Sequence, residues 1–382
     1  MGKTVIVSLW MLLWALAGIG GAEEARYALD PGGRVAVMTR NLYVGTDLFR
    51  LLAADVASPF EALLAVGDRV LDIVDSDFPE RSAALAREIE EAAPDIVGIQ
   101  EASLLRGQYP GDFLLGNPEG AEVVLFDFLS LLEDALRARG LDYRAAVVLE
   151  TVDIELPALV VLQNFGLFLF DVRLTDRDAV LVRQGVEVSN VAARLYAHAV
   201  QVEAGGAVFS LPRGFEALDA AVAGRTYRFV NTHIEVRELD GGATQGFQVQ
   251  ELMEELAGEA RPVILVGDLN SLPSDPAPLP YGTVREAGFV DIWQLRPGPA
   301  EPGFTCCQAP ELTNADSALR ERIDFIFVRN DLGELPFSVI GEVQADLTGA
   351  GPVDRTPSGL WPSDHAGVAA DVAIPLLTRM VP

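Results

Sequence analysis

Val263-Ile264-Leu265-Val266-Gly267-Asp268-Leu269-Asn270 decides how this chain is read. Four large apolar residues in a row, three of them β-branched, follow Arg261-Pro262 and end at a glycine, which is the signature of a short strand buried on both faces. A carboxylate and an amide then stand at the end of that strand. Three further segments repeat the pattern: Asp95-Ile96-Val97-Gly98-Ile99-Gln100-Glu101, Phe229-Val230-Asn231-Thr232-His233 and Arg322-Ile323-Asp324-Phe325-Ile326-Phe327. Asn41, after the alternating Val35-Ala36-Val37-Met38-Thr39, and Asp364-His365 complete the set. Buried strands that carry polar groups to one common rim build the kind of place where a divalent cation and a phosphate are held.

Composition limits the alternatives. The 382 residues are half hydrophobic, enough for a large packed core, and carry a formal net charge of −28. That charge argues against a broad basic surface of the kind that grips nucleic acid through many phosphates. Lys3 is the single lysine, so Schiff-base and ammonium chemistry of the mature protein are excluded. Lys3, the apolar run from Val5 to Ile19 and Gly20-Gly21-Ala22 read as a secretory signal peptide over residues 1–22, with a retained membrane anchor as the alternative. The remainder, 23–382, is expected to be one exported domain with loop insertions, secreted or periplasmic. Cys306 and Cys307 are neighbours, and a bridge between adjacent residues is geometrically unfavourable, so two thiols on a packed loop are expected.

Helices are predicted over Ser82–Ala93, Phe126–Arg139 and Gln245–Gly258, and strands over Arg34–Arg40, Asp95–Ile99, Arg144–Leu149, Phe165–Phe170, Ala179–Arg183, Ala193–Val202, Tyr227–Thr232, Val263–Gly267, Ile323–Val328 and Gly367–Ile374. The stretches Asp47–Asp77, Arg106–Gly120 and Asp346–Trp361 read as long loops. Many strands with intervening helices, and no sustained βαβ alternation, favour an α/β fold of two packed sheets flanked by helices.

In their order along the chain, Asn41, Gln100-Glu101, Asn231-x-His233, Gly267-Asp268-x-Asn270, Arg322-Ile323-Asp324 and Ser363-Asp364-His365 resemble the motifs of the endonuclease/exonuclease/phosphatase superfamily. The resemblance spans roughly residues 34–376. It implies the DNase I-like four-layer α/β/β/α sandwich and a Mg²⁺- or Mn²⁺-dependent phosphoester hydrolase. By the same resemblance Asn41, Glu101 and Asp364 are the metal residues, with Glu101 as the first ligand. Asn231 and Arg177 are phosphate contacts, although Arg177 reads equally well as a surface ion pair.

The residue types agree with those roles. Carboxylate oxygens suit a hard cation. Asp268 and Asn270, two apart on an extended segment, would share a face, one orienting the attacking water and the other holding a phosphate oxygen. Asp324 is expected to fix the His365 ring and support its charged form. His233 is expected to donate to the phosphoryl group or leaving oxygen, with Asp153 or Glu155 as loosely matched partners. His198 matches no motif and reads as structural.

No Gly-x-Ser-x-Gly elbow or His-Glu-x-x-His helix occurs, which removes serine hydrolases and zinc proteases. Ser271-Leu272-Pro273-Ser274 after the Gly-Asp-x-Asn disfavours the inositol phosphatase branch. The expected substrate is a phosphodiester, in nucleic acid or a phospholipid headgroup, handled by a monomer with no stable protein partner. A phosphomonoesterase of the same fold and an inactive binding module stand as the alternatives.

Overall fold

A computed structural model describes residues 27–30, 33–48, 58–117, 119–162, 166–204, 207–332 and 338–379; the signal-peptide reading of 1–22 lies outside them. Two mixed sheets form the centre. The larger has the order Val343–Thr348, Gly367–Ala373, Arg34–Asn41, Ile96–Gln100, Gly166–Arg183, Leu104–Gln108, Val123–Asp127, with Tyr143–Leu162 paired along Gly166–Arg183. The smaller has the order Val290–Asp291, Asp324–Arg329, Val263–Asp268, Arg225–His233, Gly214–Val222, Glu187–Leu195.

The sheets pack face to face through Val35, Val37, Ile96, Val180 and Val182 on one side and Leu218, Phe229, Ile264, Val266 and Ile326 on the other. Helices Phe78–Ala92 and Phe128–Ala138 cover the outer face of the larger sheet, and Ala243–Leu256 covers that of the smaller. Burial on both faces accounts for the unbroken apolar runs of the central strands. The result is the expected α/β/β/α sandwich. Among the described residues no helix is long and apolar enough to cross a membrane.

Strand register builds the rim. Arg225–His233 lies parallel to Val263–Asp268 with His233 opposite Asp268, and Val263–Asp268 lies antiparallel to Asp324–Arg329 with Asp268 opposite Asp324. In the other sheet, Asn41 lies opposite Gln100, so Glu101 emerges one residue beyond. In the smaller sheet Gly267, at φ +141°, allows the close approach of Val263–Asp268 to Arg225–His233: a Cβ there would meet the Thr232 carbonyl oxygen at 1.9 Å.

Several sequence expectations need correction. The supposed loop Asp47–Asp77 contains the helix Pro59–Asp75, started by Pro59 and by the Ser58 hydroxyl accepting from the Glu61 amide. The strands expected at Arg144–Leu149, Phe165–Phe170 and Ala179–Arg183 belong, but for Phe165, which lies outside the described residues, to one long hairpin, Tyr143–Leu162 with Gly166–Arg183. Ala193–Val202 divides between Glu187–Leu195 and a separate hairpin of Val200–Ala204 with Ala207–Leu211. Arg106–Gly120 and Asp346–Trp361 each contain the end of a strand. Gly214–Val222 was not expected, because Glu216-Ala217-Leu218-Asp219-Ala220-Ala221 has the composition of a helix.

Candidate active site

Glu101 stands just past its strand in a left-handed turn at φ 57°. One carboxylate oxygen accepts from Asn41 Nδ2 at 3.0 Å and the other from the Val44 amide at 2.8 Å. Burial opposes its ionisation, but His233, the Asn41 amide and His365 outweigh it and hold Glu101 below the usual glutamate range. Asn41 Nδ2 also reaches Asp268 Oδ2 at 3.2 Å, while its oxygen accepts from the Tyr43 amide at 2.9 Å. Asn41 is therefore a bridge between two carboxylates. The expected neutral oxygen ligand is instead turned to the backbone.

Asp268 Oδ1 accepts from the Asn270 amide at 2.9 Å. Asn270 is in the left-handed region at φ 46°, so a turn, not an extended segment, brings both residues to the cavity. Asn270 Nδ2 donates to the Ile234 carbonyl at 2.9 Å and lies 3.4 Å from His233 Nε2. Burial, followed by the nearby Asp324, raises the Asp268 carboxyl above the ordinary range.

His365 Nδ1 lies 2.9 Å from Asp324 Oδ2, the pairing expected from the sequence. Burial works against its charged form, yet Asp324 and Asp364 raise it well above an ordinary histidine. This leaves Nε2 for a substrate. His233 is similar: burial and Arg213 oppose its charging, while Asp178 and Asp268 prevail and raise it. Arg213 lies 3.1 Å from His233 Nδ1, Asp178 is 3.8 Å from the same atom, and Asp268 is 3.7 Å from Nε2. Bends at Pro362, Asp364 and His365 turn Asp364 into the same cavity. Its carboxyl is pushed up to about 7, first by burial and then by Glu101 against the pull of His365.

Glu101, His233, Asp268, Asn270, Asp364 and His365 line one cavity. Two sequence assignments fail in the structure. Arg177 points to the opposite face of its strand, donates to the Ala102 carbonyl at 2.8 Å and pairs with Asp127, so it is a structural ion pair. Asn231 is buried between the sheets, donating to Glu216 at 2.8 Å and the Ile99 carbonyl at 3.0 Å and accepting from Gln100 at 2.6 Å. It ties the layers together and cannot meet a phosphate. Asp153 pairs with Arg173, and Glu155 accepts from the Ala121 amide; neither serves His233. Cys306 and Cys307, expected as thiols, are joined as a disulfide across a cis peptide. His198 is exposed and stacks on Phe247, consistent with a structural role.

Three functional positions were not anticipated. Arg213 lines the cavity and faces Glu235 and Asp176 at 3.5 and 3.7 Å. Asp178 supports His233 and accepts from the Glu101 amide at 3.3 Å. Arg81, fully buried and lowered to about 10 by burial, donates to the carbonyls of Leu42, Tyr43 and Pro362 and so clamps the loops bearing Asn41 and Asp364 together.

The donor set fits a hard divalent cation. Beyond burial, Glu101 and Asp268 raise the proton affinity of Asp364 and Asp324 raises that of Asp268, and Asp324 Oδ1 and Asp178 Oδ2 are buried with no hydrogen-bond partner. Oxygen-rich, anionic and under-compensated, this cluster calls for positive charge. Asp268, Asp324 and His365 also bring ligand atoms within 4.8 Å of one another.

The profile of the Endonuclease/Exonuclease/phosphatase family matches residues 74–365. This chain belongs to that family. No curated protein matches it. Among solved structures, an endonuclease/exonuclease/phosphatase family protein from Bacteroides thetaiotaomicron is 16% identical with a TM-score of 0.52, covering 91% of this chain and 97% of its own. The endonuclease/exonuclease/phosphatase from Bacteroides vulgatus is 16% identical at 0.50, covering 90% and 99%. Truncated TDP2 of Caenorhabditis elegans is 17% identical at 0.48, covering 89% and 97%. The two bacterial structures share the DNase I-like fold of the family, whose nucleases and phosphatases all cleave phosphoesters.

Proposed function

We propose that this member of the family is an exported phosphodiesterase that depends on Mg²⁺ or Mn²⁺. The observation that carries the reading is the convergence of Glu101, Asp268, His233 and the Asp324–His365 pair on one cavity, from five segments between residues 101 and 365. Glu101 and Asp364 would hold the cation, with Asn41 orienting the carboxylates. When bound, the cation supplies positive charge to the non-bridging phosphate oxygens.

The chain's own groups do the rest. Asp268 Oδ2, raised by burial, accepts the proton of an attacking water. His365 Nε2 donates to a phosphate oxygen while Asp324 holds Nδ1. His233, supported by Asp178, donates toward the leaving oxygen. Among the described residues the guanidiniums lining the cavity are Arg69 and Arg213, and both already face carboxylates. So few free cations suit the single charge of a diester better than the double charge of a monoester.

The test is hydrolysis of bis-p-nitrophenyl phosphate against p-nitrophenyl phosphate, with Mg²⁺, with Mn²⁺ and with a chelator. Diester preference abolished by the chelator is expected. Faster monoester hydrolysis would place the chain among the phosphatases, and inertness toward both would remove the enzymatic reading. Export is tested separately by mass spectrometry of the mature N-terminus, expected to begin after Ala22.

A further inference from the structure

The catalytic groups occupy only part of their cavity. The space measures about 480 Å³, within the roughly 300 to 1,000 Å³ of sites that enclose a small organic ligand. Away from the carboxylates its walls are largely hydrocarbon, with Arg69 among them. Val66, Val70 and Ile73, at i, i+4 and i+7, present one face of the helix Pro59–Asp75. Facing them is the apolar side of the long hairpin. There Leu174 sits between Leu105 and Ile154 on the neighbouring strands, and Val172 pairs with Leu156. Phe209 and Val202, another cross-strand pair, come from the short hairpin.

The alternation shows that this apolar lining is specific. Residues of the opposite parity on the same strands, Arg106, Asp153, Arg173 and Thr175, form a polar network on the other face. The helix is seated tightly beside the space, since a Cβ on Gly67 would lie 2.1 Å from the Leu159 carbonyl oxygen. Close-packed interiors leave few voids larger than a water molecule. An apolar space of this size, continuous with the catalytic groups, is therefore a built feature.

We propose that the cavity receives the aliphatic chain of an amphiphilic phosphoester, making the substrate a phosphodiester that carries one long alkyl or acyl chain. The inference rests on the phosphodiesterase reading and adds the substrate class. Nucleic acid is the weaker occupant. Strand-binding grooves combine basic side chains with aromatic platforms for successive bases. Among the described residues, the lining guanidiniums Arg69 and Arg213 are engaged with Asp72 and with Glu235 and Asp176 and the lining tyrosine and phenylalanine rings are those of Tyr43 and Phe209; the chain's net charge is −28.

The experiment uses p-nitrophenyl phosphodiesters bearing methyl, octyl or dodecyl groups, below their micelle concentrations and with Mg²⁺. Binding of dodecyl phosphate and methyl phosphate is measured alongside by calorimetry. Burial of each methylene is expected to raise kcat/KM by up to about fourfold. The cavity-filling Val70→Phe and Leu174→Phe are each expected to shrink the dodecyl-to-methyl ratio by about tenfold or more, the worth of two methylenes. Rates independent of chain length, a ratio unmoved by both substitutions, or an oligodeoxynucleotide cleaved more efficiently than the dodecyl diester would overturn the proposal. So would dodecyl phosphate binding no more tightly than methyl phosphate, whatever the turnover. Tight dodecyl phosphate binding without hydrolysis of any diester would instead defeat the phosphodiesterase reading and leave the chain-binding site in place. Lysophosphatidylcholine below its micelle concentration is expected to be cleaved faster than phosphatidylcholine in vesicles; the reverse would overturn the single-chain assignment.

Discussion

Replacing Asp324 by Asn tests the support behind His365 without changing its shape. The two side chains are 1% and 7% exposed and their polar atoms lie 2.9 Å apart, so solvent screens the pair little. The amide still accepts a hydrogen bond from Nδ1 but no longer stabilises positive charge on the ring. Because a positioned acid or base contributes about 100- to 10,000-fold, kcat toward bis-p-nitrophenyl phosphate should fall by roughly 100-fold or more. KM should change far less. His365 is raised well above the ordinary value in the native protein, so the substitution lowers the pH at which the ring loses its proton. The alkaline limb of the kcat profile should move toward neutrality. Stability follows the same sign. A histidine raised in the folded state stabilises fully below its unfolded value of about 6.5, and that contribution fades as pH climbs through the folded value. The Asn variant should lose about 1–3 kcal/mol near pH 6, on the scale of a charged hydrogen bond, and less in alkali. Urea denaturation at two pH values measures this. A fall in kcat of less than about threefold, small beside any acid–base contribution, with an unmoved alkaline limb, would refute the role given to Asp324.

Glu101→Gln should raise the Mg²⁺ concentration for half-maximal turnover by about 10- to 100-fold or more, since even indirect supports of metal ligands are worth that much; a metal titration of activity reads it. Asp364, pushed up to about 7, is protonated below that pH in the folded protein and penalises folding when forced to ionise above it. With chelator present, Asp364→Asn should therefore raise Tm at pH 8 and leave it nearly unchanged at pH 4. With Mg²⁺ added it should show a smaller metal-induced rise than the native chain. Gly267→Ala should cost about 3 kcal/mol or more, because its Cβ would collide with the Thr232 carbonyl at the parallel pairing that sets His233 beside Asp268; chemical denaturation and recovery of soluble protein measure that loss.

Much of the rim was legible because a strand buried on both faces writes itself as an apolar run with an abrupt polar end. Glu101, His233, Asp268 and Asp324 all announce themselves that way. Other parts are less visible for identifiable reasons. The helix Pro59–Asp75 contains Val66, Gly67, Val70, Ile73 and Val74, a composition with weak intrinsic helix preference, and packing against the long hairpin supplies what propensity does not. In Asp176-Arg177-Asp178 the resemblance pointed to Arg177, whereas the strand's alternation turns the two acids to the cavity side. On the extended strand, Asp176 and Asp178 share the side that carries Val172 and Leu174, and Arg177 falls on the other. Marking Leu174 as a core-facing position would have selected the two acids. Arg213, isolated in Leu211-Pro212-Arg213-Gly214, has no local pattern to betray it. Its importance arises from the register of Gly214 against His233 across the sheet. Asn231 shows the converse limit, since a motif position close to the site in sequence can lie one pleat too deep to reach it.

The claim on which the chemistry depends is that one cation is held by Glu101 and Asp364, carboxylates at the rim of the larger sheet, where it faces Asp268 and His233 of the smaller. Soaking crystals with Mn²⁺ and recording its anomalous signal tests this directly. A peak coordinated by Glu101 and Asp364, lost in Glu101→Gln crystals, is the predicted result. No peak in that cavity, or a cation held elsewhere while Glu101, Asp268 and His365 remain as they are, would contradict the account.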